Sequence, residues 1–140
     1  MIIKPQYFCA LLAFMLVTPS HAIEFWHSGT VWAGQGMCSA AFTFDSEMQE
    51  IHNLKITASA VNSKNRPVGS NVMEIDAFGQ SNADRYAIAY MEAEALCDDD
   101  LSIVVTQATA TVDGKPVDLI KSKLLTPRPF RPFNIHIGNK

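Results

Sequence analysis

Residues 101–125 read LSIVVTQATATVDGKPVDLIKSKLL, and the fold class follows from them. Leu101 to Val112 is dense in Ile, Val and Thr. These side chains are stiff at χ1 and suit a pleated sheet better than a helix. Asp113-Gly114 comes next, a pair that accepts the positive φ angles of a two-residue hairpin turn. Val117 to Leu125 is expected to return antiparallel. A lone hairpin is marginal in water, so further strands must cover its apolar face.

They are found on either side, and the dominant period is two. In Leu54 to Val61, Leu54, Ile56, Ala58 and Ala60 point one way and Lys55, Thr57 and Ser59 the other. In Met37 to Phe44, the residues Cys38, Ala40, Phe42 and Phe44 share a face. A first short strand is expected over Ser28 to Ala33, followed by a turn at Gly34, Gln35 and Gly36. Asn62 to Asn71 (NSKNRPVGSN) reads as a long polar turn, with Pro67 and Gly69 inside it. Val72 to Phe78 is a weaker strand ended by Gly79, and Arg85 to Met91 places Tyr86, Ile88 and Tyr90 on one face. Tyr90 to Leu96 (YMEAEAL) carries good helix formers, but its setting between strands makes it strand and then loop. About seven or eight short strands without a convincing helix predict an all-β, antiparallel immunoglobulin-like or fibronectin type III-like β-sandwich. A closed barrel is the alternative.

The amino end is built as an export signal. Lys4 supplies the positive region, Tyr7 to Val17 is uncharged and apolar, and Ser20-x-Ala22 fits the small-residue cleavage rule. Eleven residues at about 1.5 Å each reach only half of a roughly 30 Å hydrocarbon core. Cleavage after Ala22 therefore leaves a secreted or periplasmic chain from Ile23 to Lys140, one domain of 118 residues with net charge −4. Its basic residues are scattered, which argues against nucleic acid and anionic membrane as partners.

Of three cysteines, Cys9 lies in the signal, and Cys38 and Cys97 remain. In an oxidising compartment they are expected to pair, closing a loop of roughly sixty residues worth about 4 kcal/mol at most. No chemistry competes for them. His27, His52 and His136 have no metal-ligand spacing, and Asp98-Asp99-Asp100 lacks the alternation and glycine of a calcium loop. No serine sits in a nucleophile elbow, no glycine loop cradles phosphate, and Glu92 and Glu94 read as a solvated pair. The chain is expected to be no enzyme, and to hold no cofactor and no metal. A binding module is left. One of Trp26 and Trp32 is expected in the core.

Residues 126–133 read TPRPFRPF. Pro127, Pro129 and Pro132, with Phe130 among them, make a stiff extended segment. Phe133, Ile135 and Ile137 then form the apolar face of a last strand. A stiff lead can hold that strand away from its own domain, so segment 126–137 is the candidate for exchange into a strand-swapped homodimer. A crossover between the two sheets of one chain is the other arrangement. Candidate binding loops are Asn62, Lys64, Arg66 and Asn71, and Asp98, Asp99 and Asp100.

The opening IEFWHSGTVWAGQGMCSAAFTF, the two mature cysteines, the VDGKPVD hairpin and the TPRPFRPFNIHIG ending resemble the interleukin receptor mimic protein A family. That resemblance implies a secreted bacterial fibronectin type III-like sandwich, dimerised by domain swapping, that binds interleukins 2, 4 and 10. The Trp-Ser-x-Trp-Ser signature of human cytokine receptors is missing from this sequence, so mimicry would be of shape. A second class is a pilus-type subunit or periplasmic chaperone that links chains by strand exchange. Sizing separates a closed dimer from a polymer.

Overall fold

The computed structural model describes residues 21–128 and 133–138. Among them are nine strands: β1 (Ile23–Gly34), β2 (Met37–Asp45), β3 (Ile51–Val61), β4 (Pro67–Phe78), β5 (Tyr86–Ala93), β6 (Ser102–Val112), β7 (Lys115–Asp118), β8 (Leu125–Pro127) and β9 (Asn134–Ile137). Short 3-10 turns occupy Asn82–Asp84 and Glu94–Cys97. The strands form two sheets. The first runs β5-β2-β1-β8 and the second β4-β3-β6-β7, with β9 also on β6. All pairings are antiparallel except β1 with β8 and β6 with β9. The molecule is thus an all-β sandwich of two antiparallel-rich sheets, not a closed barrel.

Period-two patterning decides which side of each strand is covered. Cys38, Ala40, Phe42 and Phe44 of β2 are buried, as are Leu54, Ile56, Ala58 and Ala60 of β3 and Ile103, Val105, Ala108 and Ala110 of β6. The large side chains Phe25, Phe42, Phe44, Phe78, Leu54 and Ile56 join one continuous core. Burying each is worth about 1.5–3 kcal/mol. Phe25 and Phe44 are cross-strand partners whose rings stack with centroids 5.3 Å apart.

Several local expectations are corrected. The first strand begins at Ile23, not Ser28. A bulge between His27 and Gly29 lets it carry on past the irregular SG pair while Ile23 and Phe25 stay buried. The supposed long polar turn is short. Asn62 to Arg66 makes the turn, and Pro67 to Asn71 belongs to β4, paired with Ala58 to Val61. Pro67 stands at the first position of an edge strand, where its missing N–H costs no ladder bond. The return strand after Asp113-Gly114 stops at Asp118 instead of running to Leu125. The Asp118 carboxylate accepts from the amides of Ile120 (3.1 Å) and Lys121 (3.0 Å), which turns the chain. Leu119 is buried beside that turn, and Leu125 to Pro127 crosses to the first sheet beside Ile23 to Phe25. Tyr90 to Leu96 stays extended to Ala93 and then enters the 3-10 turn.

Neither tryptophan is in the core, contrary to expectation. Trp26 is half-buried on the outer face of the first sheet, edge-on to Tyr86 at 6.3 Å and beneath the Arg128 guanidinium at 4.8 Å. Trp32 is 72% exposed.

The end of the chain uses both sheets. Arg128 donates its amide to the Phe25 carbonyl on the first, and Asn134 to Ile137 lies along Ser102 to Val105 on the second. Phe133 is buried, and Ile135 and Ile137 pack against the core. The expected residues Pro129, Phe130 and Pro132 of the exchange segment, and residues 1–20 of the expected 22-residue export signal, lie outside the described residues.

Candidate interaction surface

One end of the sandwich gathers three connections. Met37 lies opposite Gly34, Cys38 opposite Ala93, and Ser102 opposite Val61. The β1–β2 hairpin, the β3–β4 turn and the segment before β6 therefore meet there. The Cys38–Cys97 disulfide, with Cα atoms 5.2 Å apart and a sequence separation of 59, pins this region. It ties the start of β2 to the turn that follows its neighbour β5, within one face of the sandwich.

Each of the expected loop residues has a definite place. The Asn62 carboxamide oxygen accepts from the Lys64 and Arg66 amides, both at 3.0 Å. Asn62 thus builds the turn, and Lys64 and Arg66 project from it, exposed. Asp98, Asp99 and Asp100 are exposed at the same end. Asn71 is set apart, on β4 rather than in a loop. Its side chain bridges to β5, accepting from the Glu92 amide and donating to the Glu92 carbonyl, both at 3.2 Å.

At the same end stand exposed apolar residues that sequence reasoning did not assign to the surface: Val31 (66% exposed), Trp32 and Met37 (36%). The available signal was the GQG tip itself. Gly34, Gln35 and Gly36 all have positive φ, so the hairpin turns tightly, and the bulky residues beside the turn are left exposed. An exposed tryptophan at an end that also carries charges of both signs is what a protein partner can grip. Aromatic anchors supply most of the energy of such contacts, and a polar rim supplies orientation.

The opposite end holds a charge network. Asp45, only 2% exposed, accepts from Arg85 Nε (2.8 Å) and Nη2 (3.0 Å) and from the Glu47 amide (2.9 Å). Arg85 also reaches Glu47 at 3.6 Å, and Arg128 pairs with Glu24. Burial disfavours the Asp45 charge, but the Arg85 hydrogen bonds and the Glu47 amide outweigh it and hold the carboxyl below the ordinary range. Glu24, Asp45 and Glu47 bring oxygens within 4.8 Å of one another. Arg85 and Arg128 offset two of the three charges, and the cluster reads as a structural brace between β1, β2 and β5.

Fold and disulfide together put the chain in the class of disulfide-closed, antiparallel-rich β-sandwich modules. The family can be given as well. A family model, IrmA, interleukin receptor mimic protein A, matches residues 23–127, and the chain belongs to that family. A solved structure of IrmA from Escherichia coli is similar to it, with 26% sequence identity, a TM-score of 0.65, and coverage of 81% of this chain and 96% of that one. No curated protein matches the chain. No helix among the described residues is long and apolar enough to cross a membrane.

Proposed function

We propose that the chain from Ile23 onward, exported and freed of its first 22 residues, is an extracellular receptor-like module that binds host interleukins through the disulfide-pinned end of the sandwich. Membership in a family of interleukin receptor mimics supports this. The single structural observation that carries it is the exposed Trp32, held beside Val31 and Met37 on a stiff hairpin, with Lys64 and Arg66 on the neighbouring turn and Asp98 to Asp100 at the same end. A large apolar ring kept in water costs free energy unless something covers it. Interleukins 2, 4 and 10 are the first ligands to try, as the sequence resemblance implies.

The working unit is a homodimer made by exchange of the last strand. In support, β9 makes only four residue pairs with β6, at Ser102 to Val105, and is reached through a proline-rich segment. The same slot on β6 could take that strand from a second copy without any new contact being designed.

The test is a binding assay of the mature protein against immobilised interleukins 2, 4 and 10. The expected result is saturable binding that Trp32→Ala weakens about tenfold or more, about 1.4 kcal/mol or above. Absence of binding to every member of the panel overturns the proposal.

A further inference from the structure

The two sheets leave four strands at their edges, and three are guarded. The strand β8 has three residues and includes Pro127. On the far side of β6 lie β7, with Lys115, Pro116 and Asp118, and the four-residue β9. The long edge strand β4 begins at Pro67 and exposes Glu74 and Asp76. Charges, prolines and shortness are the means by which proteins keep sheet edges from pairing with other chains.

The fourth edge, β5, has none of them where it matters. From Tyr86 to Met91 it reads YAIAYM, without charge or proline. Tyr86, Ile88 and Tyr90 are 54%, 53% and 57% exposed. Because β5 pairs only with β2 in its sheet among the described residues, its other side is a free edge there. The bonds from Asn71 to the Glu92 amide and carbonyl show that Glu92 points its backbone to that side. By alternation the backbone groups of Tyr90, Ile88 and Tyr86 point there too. Asn71 closes the edge at Glu92. At the other end the strand starts at Tyr86, after Arg85, whose carbonyl accepts from the Ser46 amide on the β2 side. The open stretch is Tyr86 to Tyr90.

This stretch is a palindrome, Tyr-Ala-Ile-Ala-Tyr. We infer that β5 is a homotypic contact, pairing antiparallel with β5 of a second copy about a two-fold axis through Ile88. In that register Tyr86 lies opposite Tyr90 of the second copy, and Ile88 opposite its own equivalent. All three pairs are hydrogen-bonded, and each exchanges an N–H and a C=O in both directions. The four-stranded sheet becomes continuous across the two molecules. The exposed tyrosines then meet as cross-strand aromatic pairs, while Ala87 and Ala89, which face the core side, are too small to obstruct the join. Self-complementarity is what an isologous contact requires, and a foreign strand has no reason to match this register. The contact is distinct from the slot of β9 on β6 and does not depend on interleukin binding.

The test uses residues 23–140. Ile88→Lys sets two like charges face to face at the axis, on a position whose side chain already points to water. Its mass by light scattering should fall to half or less of the wild-type value, with an unchanged circular-dichroism spectrum. Ile88→Cys should oxidise to a covalent dimer, since hydrogen-bonded partners place their Cα atoms about 5.5 Å apart, within disulfide reach. Val72→Cys, on the exposed face of guarded β4, should not. An unchanged mass for Ile88→Lys overturns the self-pairing, whether the edge then takes a foreign strand or nothing. So does cross-linking of Ile88→Cys no better than that of Val72→Cys. An exchange of the last strand alone gives both negative results, because it does not bring the two Ile88 positions together.

Discussion

Phe133 rests on the buried imidazole of His27, their ring centroids 4.7 Å apart, so the last stretch of the chain is fastened to the first strand. His27 is itself fixed by a 2.6 Å hydrogen bond to Thr30 and by an edge contact with Phe42. The place of β9 therefore rests on one aromatic plug as well as on its four ladder pairs.

Phe133→Ala should remove that plug. The expected cost is about 3–5 kcal/mol in urea unfolding, typical of a buried phenylalanine truncated to alanine. If the strand comes from a second copy, removal of residues 133–140 in an Ile88→Lys background, where the β5 edge cannot self-pair, should also convert a dimer to a monomer in sizing experiments. An unchanged dimer after that truncation would show that strand exchange is not its basis.

Breaking the disulfide should leave the sandwich weaker and its binding end loose. Replacing both Cys38 and Cys97 by serine removes a cross-link over 59 residues. The chain-entropy model puts the loss at about 4 kcal/mol. Urea midpoints with and without reductant measure it. Thiol titration of exported protein should find no free cysteine before reduction.

Stability should fall with acid through Asp45. Its carboxyl is held below the ordinary value, which is about 3.9. A depressed folded-state pKa gives stabilisation that is fully present above the unfolded value and is lost as pH drops through the folded one. The wild type should therefore lose stability below about pH 4, and Asp45→Asn should flatten that part of the curve. At neutral pH the same substitution should cost about 1–2 kcal/mol, near the lower bound for hydrogen bonds to a charged group because Arg85 is partly exposed.

Gly79→Ala should be among the most damaging small changes. Gly79 has φ +83°, and an added Cβ would stand 2.0 Å from the Gln49 carbonyl oxygen and 2.6 Å from Ser46 Cβ. Backbone strain and overlap together should cost at least about 2 kcal/mol. A thermal unfolding midpoint equal to wild type would contradict the packing described for this corner.

Within the chain, different features were legible to different degrees. The inward faces of β2 and β3 could be read residue by residue, because alternation is a local property that tertiary contacts seldom override. Cys38 with Cys97 followed from counting. The Asp113-Gly114 turn was plain, but not how far the strand after it would run. That depended on Asp118 capping the next turn and on Leu119 finding the core. Six of the seven expected loop residues do gather at one end, but Asn71 serves as an edge clasp for β5.

Alternating apolar residues, one cysteine pair and a hairpin dipeptide determined a stapled β-sandwich, since each acts through near neighbours or simple arithmetic. Only the tertiary structure decided which outer faces stay bare. Alternation separates the two sides of a strand but does not say what lies beyond either, and so it could not show Trp32 in the open, Trp26 wedged between Tyr86 and Arg128, or β5 as the unguarded edge. Those outcomes depend on how far one sheet overlaps the other, a property of the assembled layers that no single segment encodes.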